Sequence, residues 1–178
     1  MSLLRASLTS VLSYYTGKHG TYCSVVPDLR TAEYLNRLSS TTEKLCFKNT
    51  SSLNHHVTVA HSSNTVSKSQ HHDLWSEGFH SSTNFHSSPM GLTHWAGHDG
   101  EGYVVLKLDS PDLSSFNKHL VDKYGLSGDF AEYNPHVTIA SDVYGKGMYA
   151  EDLIQQLNEI KKPERLSFSG LRFEDTKV

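Results

Sequence analysis

Little in this sequence points to export, to a membrane or to a long nucleic acid. Cysteine is scarce: Cys23 and Cys46 are the only two, and they form no metal-type or redox pair. Free thiols in a reducing cytoplasm are therefore the default expectation. No apolar run approaches the roughly 20 residues that span a bilayer. The first residues carry no basic segment followed by a long apolar stretch, so no export signal is expected. Basic charge is not in excess either: 16 Lys and Arg stand against 19 Asp and Glu, for a net charge of −3. Proteins that grip long nucleic acids through many phosphates carry such an excess. Its lack argues against a duplex-binding module and leaves small anionic ligands open.

What is present fits a globular chain. The hydrophobic fraction is 37% and the charged fraction 20%, values of a soluble folded protein rather than a disordered one. A chain of 178 residues makes one domain or two intimate lobes and buries about two-thirds of its unfolded surface. Twelve histidines are many for this length, and histidines titrate near neutrality.

Two near-copies of one pentapeptide organise the rest. His56-Val57-Thr58-Val59-Ala60 recurs 80 residues later as His136-Val137-Thr138-Ile139-Ala140 (136 − 56 = 80). Both are β-branched apolar runs, and side chains two apart on a strand share a face. Each run thus aims an imidazole and a hydroxyl one way and its apolar residues the other. Two such strands facing each other would enclose a pocket suited to acid–base chemistry on a phosphate. A single His-x-Thr on a half-buried strand is more often a satisfied core histidine; two copies inside a repeated strand–helix–strand pattern reverse that balance.

The flanking segments repeat as well. A strand from Gly20 to Val26 leads through Pro27-Asp28 into a helix over Leu29–Leu38, and an edge strand is expected near Lys44–Phe47. In the second half, Glu101–Leu108 leads through Ser110-Pro111-Asp112 into a helix running to about Tyr124. There Ser110 is a good N-cap and proline fits the first turn. His98-Asp99-Gly100 favours a tight hairpin turn between Thr93–Gly97 and Glu101–Leu108. Tyr149–Ile160 reads as an amphipathic helix and Arg165–Phe173 as a closing strand. Residues 1–16 read as a short appended helix or a mobile tail. The Ser- and His-rich stretch from Ser62 to Ser88 is long for a loop, and such loops are often functional; a lid or a poorly ordered insert is expected there. The expected organisation is a 1–19 extension followed by one domain of two pseudo-symmetric lobes, about 20–100 and 101–178.

With both motifs in place, the chain resembles the 2H phosphoesterase superfamily, defined by paired His-x-Thr/Ser motifs. The resemblance runs from about Gly20 to Glu174. It implies an α+β, duplicated two-lobed (LigT-like) fold, with antiparallel sheets around a central cleft and helices outside. Within that superfamily, several stretches are similar to the bacteriophage anti-CBASS phosphodiesterases. They are Gly20-Thr21-Tyr22, Trp95-Ala96-Gly97-His98-Asp99-Gly100, Tyr103 through Leu113, and Asn134-Pro135-His136-Val137-Thr138-Ile139.

The resemblance implies that His56 and His136 act as general base and general acid on a phosphodiester without a metal or other cofactor. Thr58 and Thr138 would donate to the non-bridging oxygens. The implied substrates are 3′,3′-linked cyclic di- or trinucleotides such as 3′,3′-cGAMP, opened by attack of the ribose 2′-hydroxyl in the host bacterial cytoplasm. No long nucleic acid and no membrane is an expected partner. Tyr22 and Trp95 are candidates to stack on bases, with core packing as the competing role, and Glu174 is a candidate base or ribose contact or else a solvated terminus. The histidines at 71, 72, 80, 86, 94 and 98 have neither fixed ligand spacing nor cysteines and make a weak zinc signal. His55 should face away from His56 and serve structure. Which motif histidine is the acid, and the oligomeric state, stay open.

Overall fold

The structure is a computed structural model that describes residues 19–44, 48–49, 55–62, 73, 84–96, 102–126, 132–142, 154–155 and 157–177. Seven strands and two long helices are described within it. In chain order they are β1 (His19–Pro27), α1 (Leu29–Lys44), β2 (Lys48–Asn49), β3 (Val57–Ser62), β4 (Asn84–Ala96), β5 (Gly102–Asp109), α2 (Pro111–Tyr124), β6 (His136–Asp142) and β7 (Leu166–Lys177). The strands pair in the order β2-β6-β3-β1-β7-β4-β5, and β5 also pairs with β6, so the pairings close a circuit. All of them are antiparallel. The fold is therefore α+β with an antiparallel sheet.

Both helices begin where the sequence signals them. The Asp28 carboxylate accepts from the Thr31 amide at 2.7 Å, capping α1. Ser110 sits in extended backbone (φ −149°) before Pro111, and its hydroxyl accepts from the Leu113 amide. At the far end of α2, Gly125 takes the left-handed φ of 67° that only glycine adopts without strain. Its amide bonds Val121 and that of Leu126 bonds Leu120. Leu113, Phe116, Leu120 and Tyr124 form the buried stripe of α2, with Phe116 stacked on Phe85 of β4 at 5.2 Å between centroids.

Helix α1 runs six residues past the expected Leu38. Its buried face continues through Ser39 and Thr42, polar residues that break the apolar period but find partners: Thr42 donates to the Leu38 carbonyl at 2.8 Å and Ser39 to that of Ile139 at 2.9 Å. The edge strand lies at Lys48–Asn49, against Ser141 and Ala140, rather than near Lys44–Phe47; residues 45–47 are outside the described ones. Strand β4 begins at Asn84, inside the stretch expected to be an insert, because its Ser- and His-rich start pairs with Leu166–Ser169 of β7. Tertiary pairing overrides weak strand propensity there. The expected N-terminal helix and hairpin turn, and most of the 62–88 stretch, lie outside the described residues. Of the expected helix at 149–160, the described residues 154, 155, 157 and 158 are helical, and Ile154 and Leu157 are buried.

Two strand irregularities coincide across the halves. Between β1 and β3, Cys23 pairs with Ala60 and Ser24 with Thr58, leaving Val59 as the extra residue of a bulge. Between β5 and β6, Val104 pairs with Ala140 and Val105 with Thr138, leaving Ile139 extra. The bulged residues are 80 apart (139 − 59 = 80), the offset of the motifs themselves.

Candidate active site

Strands β3 and β6 meet at one pair, Val57 opposite Val137. Both valines are wholly buried. Opposed residues in an antiparallel pair share a face, and their neighbours occupy the other. Continuing the register sets His56 opposite Thr138 and Thr58 opposite His136, on the face turned away from the core. All four are half-buried, open enough to reach a ligand. The core side is sealed by Val57, Val59, Val137 and Ile139, none of them exposed.

The first motif is bound into a polar cluster. Tyr22 of β1 brings its hydroxyl to 2.6 Å from His56 Nε2 and 2.5 Å from Thr58 Oγ1. Its ring meets His56 edge-on at 5.9 Å and His61 at 6.1 Å between centroids. The backbone of β3 is braced from behind. Tyr133 donates its hydroxyl to the Thr58 carbonyl at 3.0 Å, and Asn117 of α2 donates to that of Val59 at 2.6 Å, beside the bulge.

The second motif is held differently. The Asn134 carbonyl lies 2.8 Å from His136 Nδ1. A carbonyl only accepts, so Nδ1 carries a hydrogen and Nε2 is the nitrogen left for proton exchange. Trp95 of β4 packs its ring 4.3 Å from the His136 ring, tilted by 58°. Burial pushes the His136 pKa below 6.5, the Asn134 hydrogen bond opposes that, and positive charge on His56 pushes it lower again. The two imidazoles are thus electrostatic neighbours.

Of the residues named from sequence, Tyr22 joins His56 and Thr58 through its hydroxyl, Trp95 joins His136 through its ring, and Thr138 is set by register. The backbone of Glu174 pairs with Tyr22 across β1 and β7. His55 turns away, buried, with Nε2 at 2.9 Å from Ser39 Oγ. The Ser39 hydroxyl hydrogen is committed to the Ile139 carbonyl, so His55 donates to it. Sequence reasoning missed Tyr133, Asn117 and His61. Tyr133 adjoins the quoted Asn134-Pro135, but nothing in an unpaired sequence marks Asn117, a polar residue on a helix.

Among the described residues no group of three or more His, Cys, Asp or Glu is placed to hold a metal. No helix among them is long and apolar enough to cross a membrane. A cleft of about 350 Å³ lies at the other end of β4, eight residues from Trp95, lined by His86, Ser87, Asp109, Glu164 and Arg165 among others. Two carboxylates against one guanidinium offer a phosphate no net attraction.

Comparison with known proteins shows the fold and the family. Two solved structures of Usb1 from Kluyveromyces marxianus share the fold. The first gives a TM-score of 0.57 at 9% identity, covering 91% of this chain and 96% of that one. The second, with uridine monophosphate, gives 0.54 at 9% identity, covering 90% and 96%. At that identity the likeness shows the fold alone. The anti-CBASS protein Acb1 of Acinetobacter phage Ac42 is 41% identical over 58 residues, 31% of this chain and 38% of that protein. The match therefore spans well under half of that relative. The model of the family described as anti-CBASS protein Acb1 matches residues 19–166, a span that contains both His-x-Thr strands, Tyr22 and Trp95. The chain belongs to the Acb1 anti-CBASS family.

Proposed function

We propose that this protein is a phosphodiesterase that opens 3′,3′-linked cyclic di- or trinucleotide immune signals, such as 3′,3′-cGAMP, and so counters CBASS defence in the cytoplasm of the phage's host. One imidazole of the His56–His136 pair takes the proton of a ribose 2′-hydroxyl. The new O2′–P bond forms as P–O5′ breaks, and the other imidazole delivers its proton to O5′. The product is a linear oligonucleotide ending in a 2′,3′-cyclic phosphate. Such chemistry needs two groups with pKa values near 7 on opposite sides of phosphorus. Thr58 and Thr138 hold the charge on the non-bridging oxygens. No metal is required, because the protein supplies both proton carriers and the donors to the oxyanion. Tyr22 and Trp95 offer ring faces to bases, and Glu174, in register with Tyr22, contacts a base or ribose.

The single observation that carries this reading is the Val57–Val137 pair, which turns two distant His-x-Thr motifs onto one accessible face. The matched bulges at Val59 and Ile139 support a duplicated scaffold of two lobes, about 20–100 and 101–178, after a 1–19 extension. The test is cleavage in EDTA of 3′,3′-cGAMP, a 3′,3′-cyclic trinucleotide, a 2′,3′-cyclic-ended RNA and 2′,5′-oligoadenylate. Ring opening of a cyclic oligonucleotide is expected. Cleavage of only the RNA or the oligoadenylate would make this an RNA-end or 2′,5′ phosphodiesterase, and cleavage of none, with binding retained, a catalytically idle nucleotide-binding module.

A further inference from the structure

The Tyr22 hydroxyl touches two members of the first motif at once, His56 Nε2 at 2.6 Å and Thr58 Oγ1 at 2.5 Å. A phenol has one hydrogen, so it donates to one of these neighbours and accepts from the other. Two arrangements satisfy all three groups. With a lone pair on His56 Nε2, Tyr22 donates to the ring and Thr58 donates to Tyr22. With a proton on Nε2, the ring donates to Tyr22 and Tyr22 donates to Thr58. The Thr58 hydrogen is then released to point elsewhere. No side chain has to move between the two states.

Among the described residues the second motif shows no such link. His136 is held through Nδ1 by a backbone carbonyl, and its aromatic neighbour, Trp95, carries no hydroxyl. Tyr103 takes on β5 the place of Tyr22 on β1, opposite Ser141 as Tyr22 is opposite His61, but it is 39% exposed.

We propose that Tyr22 is a positioning residue whose hydroxyl couples the protonation of His56 to the direction of the Thr58 hydroxyl hydrogen; this rests on reading His56 and Thr58 as reacting groups. When His56 gains its proton, Thr58 becomes free to donate to a phosphate oxygen. The direction of the Thr58 hydrogen then follows the proton on His56 Nε2. A tyrosine that served only as a stacking platform would need its ring and not its hydroxyl.

The test is Tyr22→Phe, which keeps the ring and removes the link. On 3′,3′-cGAMP, kcat should fall by about tenfold to a hundredfold, the worth of a hydrogen bond to a charged group, with KM within about twofold of wild type. An unchanged kcat would overturn the proposal, as would a loss confined to KM. A second measurement needs no substrate: nitrogen-15 NMR of the His56 ring in the free protein, titrated with and without the Tyr22 hydroxyl. Among the described residues, His61 on β3, His136 on β6, buried His55 and Tyr133 are the titratable groups around it, and all stay in both proteins. A shift in the His56 ring signals and midpoint is expected, and identical titrations would refute the coupling. Should the protein cleave none of the nucleotides, the proposed activity falls, while the NMR comparison still decides whether the link exists.

Discussion

The two His-x-Thr strands are near-copies in sequence and share a bulge at the same place, yet they stand in unlike surroundings. His56 meets a phenol, Tyr22, whose hydroxyl also reaches Thr58 and whose ring also meets His61. His136 meets a backbone carbonyl and the tilted ring of Trp95, and burial lowers its pKa. Even the preceding residue differs. His55 is a buried histidine tied to α1 through Ser39, whereas Pro135 offers its carbonyl to the Leu108 amide at 3.0 Å. Repetition supplies two identical side chains on one face, and the proposed division into acid and base would rest on their different neighbours. An acid–base pair needs that inequality, since one partner must start with a proton and the other without.

The largest test of this contrast removes each imidazole in turn. His56→Ala and His136→Ala should each lower kcat/KM by about 10²- to 10⁴-fold while circular dichroism and thermal unfolding stay near wild type. A diester whose leaving group needs no proton, such as a p-nitrophenyl ester with a free 2′-hydroxyl, then separates the two. The variant lacking the acid should regain most of its rate and the variant lacking the base should not. Equal behaviour would dissolve the contrast.

Next in size is the pH dependence of stability, which arises on the β3 side. Burial first, and the charge of His56 second, lower the His55 pKa from 6.5 to about 4. The unfolded chain binds that proton more readily, so the stability it contributes is complete above pH 6.5. That contribution is lost as pH falls from 6.5 to 4, by about 3 kcal/mol. His136, also lowered, acts in the same direction. Urea denaturation at pH 7 and pH 4.5 measures the sum. Ser39→Ala, which orphans the His55 N–H and the Ile139 carbonyl, should cost about 1–3 kcal/mol at pH 7.

A smaller effect is expected at Trp95. If its ring carries a base, Trp95→Ala should raise KM by about tenfold to a hundredfold, matching the 1–3 kcal/mol of a base–aromatic stack. An unchanged KM would leave the ring as packing for His136. The smallest effect is electrostatic. His56→Gln removes a positive neighbour, so the His136 midpoint followed by NMR should rise toward 6.5. A midpoint that stays in place would break the coupling between the two motifs.

Much of the fold could be read in advance because its signals are local. Asp28, Ser110-Pro111 and Gly125 mark helix ends through the backbone groups they satisfy, and the alternation of Leu166 and Phe168 marks β7. The failures share one cause, which is pairing with distant partners. Ser39 and Thr42 look like the end of a helix until carbonyls are found for their hydroxyls. Asn84–Ser88 reads as a polar insert until β7 lies beside it. In the site, the two motifs are legible by type and spacing, whereas Tyr22 and Trp95 stand in the sequence only as candidates to stack on bases, and their contacts with His56 and His136 leave no trace there. The braces from Tyr133 and Asn117 are not legible either, because a side chain that bonds a carbonyl on another element leaves no periodic trace.

The order of residues alone settled that one imidazole and one hydroxyl would share a face on each of two strands, since strand geometry repeats every two residues. Only the folded chain decided that Val57 meets Val137, that a tyrosine hydroxyl from β1 joins the first histidine, and that a tryptophan from β4 covers the second. Those are contacts between segments far apart in sequence, and they come from burying apolar faces against one another, which no local pattern encodes.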